Sequence, residues 1–481
     1  MFSWISVNQD GVALVLSVIN PISHVSLGHH MTITQRPAHQ AVRTVDRRTT
    51  GRTALIGFVV VNVVIVTALF IQAGPSDNVL ITVGRLLGLY ATVVLALQLL
   101  LIARVPWLDR RIGTDRLTSL HRWTGFTLLC TLTAHVLLVV TGYAQDASTG
   151  VVTEFLDLTG SAVSILAGAV AFGLVVVIGV TSARIARRRM RYEIWHAVHF
   201  LTYLVLVLAF THQLGQSSSF GQSPLARAYM WVLWGGSLGA VLLCRVLLPV
   251  IRNARHQLRV VAVVPEAQDV VSVYVTGRRL NELPAHAGQF FVWRFQMRGR
   301  RFRANPFSLS AAPDGRHLRL TAKAVGDGSA GLRDLRVGTR VFAAGPYGAF
   351  TTANRARPNA LLVAGGVGVT PIRALLEAAS GHVVVIYRVR THQDAVLLRE
   401  MQELARLRGA VVHLLTGPSA AYGMYGPPLS AASIHALVPD VASRDVFVCG
   451  PDGMTSTVLA SLRELNVPAR QVHSERFTFA G

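Results

Sequence analysis

Apolar residues along this chain gather in six long blocks, 53–72, 79–103, 119–143, 161–182, 194–214 and 226–250. Each is close to the length of about 20 residues that carries a helix across a bilayer. Polar residues return only in short segments between them, which predicts six membrane-spanning helices. After Arg252 the texture changes to brief alternating runs (259–264, 270–275, 289–294, 318–324, 340–344) broken by Pro, Gly and Asp. Short strands at that spacing predict a small antiparallel barrel. From 360 onward, strand-like runs (360–364, 382–387, 411–415, 445–449) alternate with helix-like ones (371–379, 394–407, 453–465). That alternation predicts a doubly wound α/β domain on a parallel sheet. The expected fold is therefore multidomain: a six-helix transmembrane bundle, an antiparallel β-barrel, then the α/β domain. The expected boundaries are 1–52 for an N-terminal segment, then 53–252, 253–355 and 356–481.

Composition narrows the class. The 481 residues are 51% hydrophobic and 15% charged, with a mean hydropathy of +0.45. A soluble domain carries roughly 25% charge, so disorder and a purely soluble enzyme are excluded. The net charge of +22 first suggests nucleic acid. The arginines, however, fall in runs between apolar blocks, as in a membrane protein, and no nucleic-acid partner is expected. Arg43, Arg47, Arg48 and Arg52 precede the first block. Arg104, Arg110, Arg111 and Arg116 follow the second, and Arg184, Arg187, Arg188, Arg189 and Arg191 follow the fourth. The alternate segments 74–78, 144–160 and 215–224 hold no Arg or Lys, and the middle one carries Asp146, Glu154 and Asp157. The positive-inside rule then predicts a multi-pass cell-membrane protein with both termini and the two C-terminal domains cytoplasmic. Cys130, Cys244 and Cys449 form no disulfide framework. The apolar stretch 11–20 is short and lacks a basic leader, so no secretory signal is expected. Met31 competes with Met1 as the initiator, which would leave 1–30 untranslated.

Imidazoles inside apolar spans are costly and mark a cavity, a partner or a cofactor. His121 and His135 lie fourteen apart on the third span, and His199 and His212 thirteen apart on the fifth. Fourteen helical steps cover roughly 21 Å and return to within about 40° of the same face. Both spans leave the cytoplasmic side, so His121 and His199 share an inner level and His135 and His212 an outer one. Two layers of paired imidazoles suit two stacked haems, each iron held by two axial histidines. Thirteen steps turn by about 140° from the starting face, so the fifth helix is expected to be locally distorted. His196 is a rival at the inner level. Arg85 either pairs a haem propionate or snorkels to the interface, and Arg122 is a similar inner candidate.

With these residues the chain resembles the ferric reductase and NADPH oxidase superfamily of membrane flavocytochromes, over about residues 53–479. The segments HRWTGFTLLCTLTAH and HFLTYLVLVLAFTH are similar to its two haem-binding spans, and the resemblance selects His199 over His196. NPFSLSAAP, at 305–313, resembles the flavin-binding strand of ferredoxin reductase-like domains. It implies FAD held around Asn305, Pro306, Phe307 and Ser308, with Ser308 near the flavin N5. Related sequences often carry Arg or His where Asn305 stands, so Arg303 or Lys323 is the candidate for charge compensation. GDGS, from Gly326 to Ser329, fits the companion phosphate turn.

The segment AGGVGVTPI offers Gly365, Gly366, Gly368, Thr370 and Pro371 after a buried-type strand. Pro371 is expected to open a helix at its first position, whose amino end can hold a dinucleotide pyrophosphate. Arg388 and Arg390 end the next strand, where arginine suits a 2′-phosphate, so NADPH is expected and NADH remains open. CGP, with Cys449, Gly450 and Pro451, resembles the family segment under the nicotinamide. SERFTF resembles its C-terminal flavin cover, with Glu475 near the nicotinamide and Phe477, or else Phe479, on the ring. The resemblance implies electrons passing from NADPH through FAD and two b-type haems to an outer acceptor: ferric iron first, dioxygen as the alternative. A transporter or channel with a nucleotide-sensing domain is the remote rival, since it leaves the paired histidines unexplained. Protein partners are not legible.

Overall fold

A computed structural model describes residues 47–216, 223–297, 304–324, 329, 331–418 and 426–476. All described residues belong to one compact unit. Six helices in it are long and apolar enough to cross a membrane: Thr49–Ala73, Val79–Ile102, Thr114–Ala147, Val163–Ser182, Glu193–Gly215 and Pro224–His256. These spans 1 to 6 match the six apolar blocks, with span 3 extended at both ends. A short linking helix, Pro106–Ile112, joins spans 2 and 3; Pro106 stands in its first turn and Gly113 closes it at φ +91°. The segment between spans 3 and 4, expected as an outer loop, contains the helix Val151–Ser161. Its two acidic residues masked a helical run.

Two spans depart from regular geometry. Span 5 is interrupted at Leu201, a turn between helices Tyr192–Phe200 and Thr202–Gln216. Its histidines lie on either side of that break. Span 6 passes through a π-helical stretch, Leu242–Leu247. Pro249 has no N–H for the carbonyl of Arg245, so the ladder slips and Leu248 donates five residues back to Leu243.

The middle domain consists of β1 (Arg259–Ala267), β2 (Val270–Thr276), β3 (Phe290–Phe295), β4 (Asn305–Ser308), β5 (His317–Lys323) and β6 (Val341–Tyr347). They form two antiparallel sheets, β1-β2-β5 and β4-β3-β6. Isolated bridges Arg259–Arg340 and Leu309–Leu320 join the sheet edges, so the six strands close into a barrel. Inward residues such as Phe291, Trp293, Leu309 and Leu320 fill it.

The last domain carries β7 (Ala360–Gly365), β8 (Val383–Arg388), β9 (Val411–Leu415), β10 (Asp445–Gly450) and β11 (Val472–Arg476). They make a fully parallel sheet in the order β11-β10-β7-β8-β9. Apolar clusters cover both faces, one on the Ile372–Leu376 side and one around Ile434, Val458 and Leu462. Strand order reverses between β7 and β10, the place where such sheets bind nucleotides at their carboxyl ends.

Candidate functional site

The spans form two helix pairs that hold their far-end histidines alike. On span 3, His135 Nδ1–H donates to the Gly84 carbonyl of span 2 at 2.7 Å. On span 5, His212 Nδ1–H donates to the Ser164 carbonyl of span 4 at 2.9 Å. One turn further along each receiving helix stands a glycine under the ring. A Cβ on Gly88 would lie 2.8 Å from His135 Cε1, and one on Gly168 would lie 2.5 Å from His212 Nδ1. Gly84–Gly88 and Ser164–Gly168 are thus small residues four apart, which let the helices approach closely. The anchor commits Nδ1 to the backbone and leaves Nε2 with its lone pair, the arrangement that metal-binding imidazoles adopt.

At the near end, His121 and His199 face each other with ring centroids 6.3 Å apart and planes at 75°. Two metal–nitrogen bonds of about 2 Å each, plus the half-widths of two rings, span that gap. Their Nδ1 atoms are buried without a hydrogen-bond partner among the described residues. Trp195 stacks on His199 at 5.2 Å, and the Arg187 guanidinium lies 4.4 Å over Trp195. His196 instead leans on Phe200 at 4.9 Å. Arg85 donates to the Tyr143 hydroxyl at 2.6 Å. The residues of both levels therefore fit axially ligated haem.

The near end meets the barrel along β6. Asn253 exchanges two hydrogen bonds with the Ala343 backbone (2.8 and 2.9 Å), and Arg252 donates to the Gly345 carbonyl at 2.7 Å. Arg104 lies 4.4 Å over the Tyr347 ring. The Gly348 N–H donates to Asp109 Oδ2 at 2.7 Å, and the Thr114 hydroxyl to Asp109 Oδ1 at 2.5 Å. Asp109 is 1% exposed. Burial pushes its carboxyl up, against the pull of Thr114, the Gly348 amide, Arg104 and Arg110.

On the barrel, β4 carries Asn305, Pro306, Phe307 and Ser308 and pairs with β3 so that Phe290 faces Ser308. The Ser308 Oγ is buried with no partner among the described residues, an orphan hydroxyl suited to a bound flavin. Lys323 pairs with Asp269 at 3.1 Å on the surface, which occupies one candidate for charge compensation. Arg303, Gly326, Phe477 and Phe479 lie outside the described residues. Ser329 is described but its turn is not.

In the parallel domain the glycine turn and the CGP turn meet at the switch point, with Ala364 and Cys449 in register. A Cβ on Gly368 would strike the Cys449 carbonyl, and one on Gly450 would lie 2.5 Å from Met454 Cε and 3.1 Å from Gly365 Cα. Only glycine fits there. Gly366 takes φ +51°. The following helix begins at Val369, two residues before Pro371, which corrects the expectation that Pro371 opens it. Its missing N–H still belongs to the first turn, where amides have no helical partner. The Arg388 guanidinium donates to the carbonyls of Val389, Leu415 (3.2 Å), Gly417 (2.6 Å) and Pro418 (2.9 Å), whereas Arg390 is exposed. Burial raises the Cys449 thiol well above its ordinary range, so it stays neutral. Glu475, expected in a C-terminal flavin cover, lies on β11 opposite Cys449. Its carboxyl is raised well above the usual range by burial, then by Asp115 and Asp109, and its Oε2 is buried without a partner among the described residues.

The sequence reading missed three groups. The Gly84/Gly88 and Ser164/Gly168 pairs had a signal, small residues four apart inside apolar spans. Asp109 had only its position in the first turn of a short Pro-initiated helix. Arg319, Arg373 and Glu400 tie the barrel to the parallel domain: Arg319 reaches Glu400 at 2.9 Å and Ser310 Oγ at 3.0 Å, and Arg373 reaches Glu400 at 3.0 Å.

Comparison with known proteins agrees with this arrangement. Residues 87–210 match the ferric reductase-like transmembrane component, and residues 362–459 match the oxidoreductase NAD-binding domain. Ferredoxin–NADP reductase B of Sorangium cellulosum is 34% identical over 192 residues, 36% of this chain and 77% of that protein. The ferredoxin reductase component of 3-ketosteroid-9-alpha-monooxygenase from Mycolicibacterium smegmatis is 31% identical over 46% of this chain, which spans 65% of that protein, a little under two thirds of its length. Among solved structures, the ferredoxin reductase in carbazole 1,9a-dioxygenase matches with 23% identity and a TM-score of 0.39, covering 46% of this chain and 69% of that one. Joining such a transmembrane component to a ferredoxin reductase-type FAD/NAD(P)H-binding module, the chain belongs to the ferric reductase-like transmembrane electron-transfer oxidoreductases.

Proposed function

We propose that this protein passes electrons from cytoplasmic NADPH through FAD and two b-type haems to ferric iron on the outer face. The observation that carries the reading is the two-level histidine arrangement, with far-end imidazoles anchored through Nδ1 and near-end imidazoles facing each other at 6.3 Å. His121 and His199 would hold the inner haem, and His135 and His212 the outer one. Bound haem supplies one-electron carriage, which splits the two-electron delivery of a hydride. On this reading, 53–252 is the haem domain, 253–355 the flavin domain and 356–481 the nucleotide domain.

Each remaining part has a task. The amides of Gly365, Gly366 and Gly368 and the helix start at Val369 cradle the nucleotide pyrophosphate. Arg390, with Arg388 behind it, favours the 2′-phosphate of NADPH. Gly450 and Pro451 leave room under the nicotinamide beside a neutral Cys449. Ser308 offers its free hydroxyl to the flavin, with Asn305, Pro306 and Phe307 along the same strand. Glu475, held neutral by burial, can donate a hydrogen bond to the nicotinamide side of the ring. The arginine-rich ends support a cytoplasmic side for the barrel and nucleotide domains.

Ferric iron is preferred over dioxygen because exposed Asp77, Asp146 and Asp157 border the outer ends of the spans. Negative potential concentrates cations and leaves a neutral gas unaffected. A reduced-minus-oxidised spectrum of the purified protein should show b-type bands, and their absence would refute the haem assignment. NADPH consumption with a ferric chelate under argon should exceed that in air without iron. Faster turnover in air, with superoxide dismutase-sensitive product, would establish the oxidase instead.

A further inference from the structure

We propose that Asp109 is a positioning residue that sets the flavin-bearing sheet on the membrane domain, and so governs electron passage from flavin to the inner haem without governing hydride transfer. The inference rests on the haem assignment above. Its physical basis is a continuous chain of contacts. Asp109 sits on the linking helix between spans 2 and 3, and Thr114, which donates to its Oδ1, opens the span that bears His121. Its other oxygen takes the N–H of Gly348, immediately after β6. The Tyr347 ring next to it tilts on Phe290 at 5.8 Å, and Phe290 pairs in register with Ser308 on the flavin strand. One buried carboxylate thus connects the helix of an inner haem ligand to the strand of the flavin hydroxyl.

Other membrane-side contacts on β6 come from half-buried side chains. Asn253 and Arg252 grip backbone carbonyls, and Arg104 stacks on a ring. Among these contacts Asp109 alone is fully buried. Hydrogen bonds to a carboxyl shut off from water are not replaced by solvent when they are lost, so this contact sets the register of the turn. Gly348 has φ +97°, and a Cβ there would lie 3.3 Å from Phe290 Cδ1 and 3.6 Å from Glu475 Oε1. The turn is packed from both sides and has one seat.

With the cofactors bound, the step governed would carry one electron from reduced flavin to the haem that His121 and His199 would hold. Two passages consume the hydride pair taken from NADPH and release one proton to the cytoplasm. Hydride transfer takes place across the barrel and the nucleotide domain, which Arg319, Arg373 and Glu400 hold together without touching Asp109, and burial, the first cause of the raised Glu475 carboxyl, remains when Asp109 is replaced.

The test uses full-length holoprotein carrying Asp109→Ala or Asp109→Asn, mixed anaerobically with NADPH while flavin and haem absorbance are followed separately. Asp109→Ala should leave flavin bleaching near the unsubstituted rate and lower the ratio of haem reduction to flavin bleaching, a selective loss. Deuterium exchange of the peptide containing Gly348 should accelerate in the same variant. Asp109→Asn keeps an acceptor oxygen for Gly348 and should restore most of the haem rate. Thr114→Val, a milder change, should show a smaller defect of the same kind should Asp109→Ala not fold. Haem reduction unchanged in Asp109→Ala, or flavin and haem slowed equally, would overturn the inference while leaving the haem assignment intact. Absence of b-type bands in the unsubstituted protein would overturn both.

Discussion

Replacing Gly168 by alanine tests the histidine cradle directly. A Cβ at that position would lie 2.5 Å from His212 Nδ1, 2.8 Å from its Cγ and 2.9 Å from its Cε1. Packed heavy atoms sit about 3.5–4 Å apart, so the ring must retreat by about 1 Å. That displacement stretches the 2.9 Å bond to the Ser164 carbonyl beyond hydrogen-bonding range. Loss of such an outer partner lowers metal affinity about 10- to 100-fold, or roughly 1.4–2.8 kcal/mol. Helix propensity acts in the other direction, since alanine is favoured over glycine by about 1 kcal/mol in a helix interior. The two effects predict opposite outcomes, and the clash is the larger. Gly173→Ala on the same span is the matched control, because nothing lies within 4 Å of its Cβ. The assay is haem per chain by pyridine haemochrome in purified protein. Gly168→Ala should fall from two haems toward one, with NADPH still bleaching the flavin, while Gly173→Ala stays at two. Two haems with unaltered spectra in Gly168→Ala would show that the ring is not held where the cradle places it.

Three further outcomes are expected. His135→Ala or His212→Ala should remove the outer haem and spare flavin reduction, checked by haem content and stopped-flow bleaching; unchanged haem content would sink the ligand assignment. Arg390→Ala should narrow the preference for NADPH over NADH, read as the ratio of kcat/KM values, whereas Arg388→Ala should chiefly lower Tm because its guanidinium is spent on four carbonyls. Glu475→Gln tests burial of the carboxyl: a raised folded pKa means the neutral form is preferred, so stability is fully present below the ordinary carboxylate range and is lost as pH rises toward the folded value. The Tm of Glu475→Gln should therefore match the unsubstituted protein in acid and exceed it increasingly toward neutral pH; a constant difference would contradict that.

Elements with a strong local signal were legible in the sequence. The six spans are long apolar blocks, and β1, β2 and β7 to β10 are short runs rich in apolar residues. The irregularity of span 5 was legible too, because a thirteen-residue spacing cannot put two side chains on one face of a regular helix, and the break falls at Leu201. Elements without local signal were not. β11 reads VHSER, polar at most positions, and becomes a strand only because β10 offers an edge; Glu475 therefore belongs to the sheet, not to a removable tail. Helix Ala431–Leu437 is too short for a period to show. Cross-helix anchors such as Gly84 to His135 depend on how two spans register, a tertiary fact that spacing within one span does not contain. The same holds for Asp109, whose partner is 239 residues away.

The matching anchors on the two helix pairs have a consequence for assembly in time. Chains emerge amino end first and their domains form largely in that order. Spans 2 and 3 can close on one another, with His135 already turned by Gly84, while span 5 is still being made. Spans 4 and 5 then repeat the same closure with Ser164 and His212. Each half of the outer ligand set is thereby oriented within its own hairpin before the halves meet, which lowers the ordering cost left for haem capture. On the inner level the His121 ring bonds to the Gln98 backbone of span 2, but the His199 Nδ1 has no partner among the described residues, so the inner seat is complete only once the hairpins have docked. The biogenesis of the membrane domain should accordingly proceed from the outside inward, with the flavin module arriving last against a half-finished face.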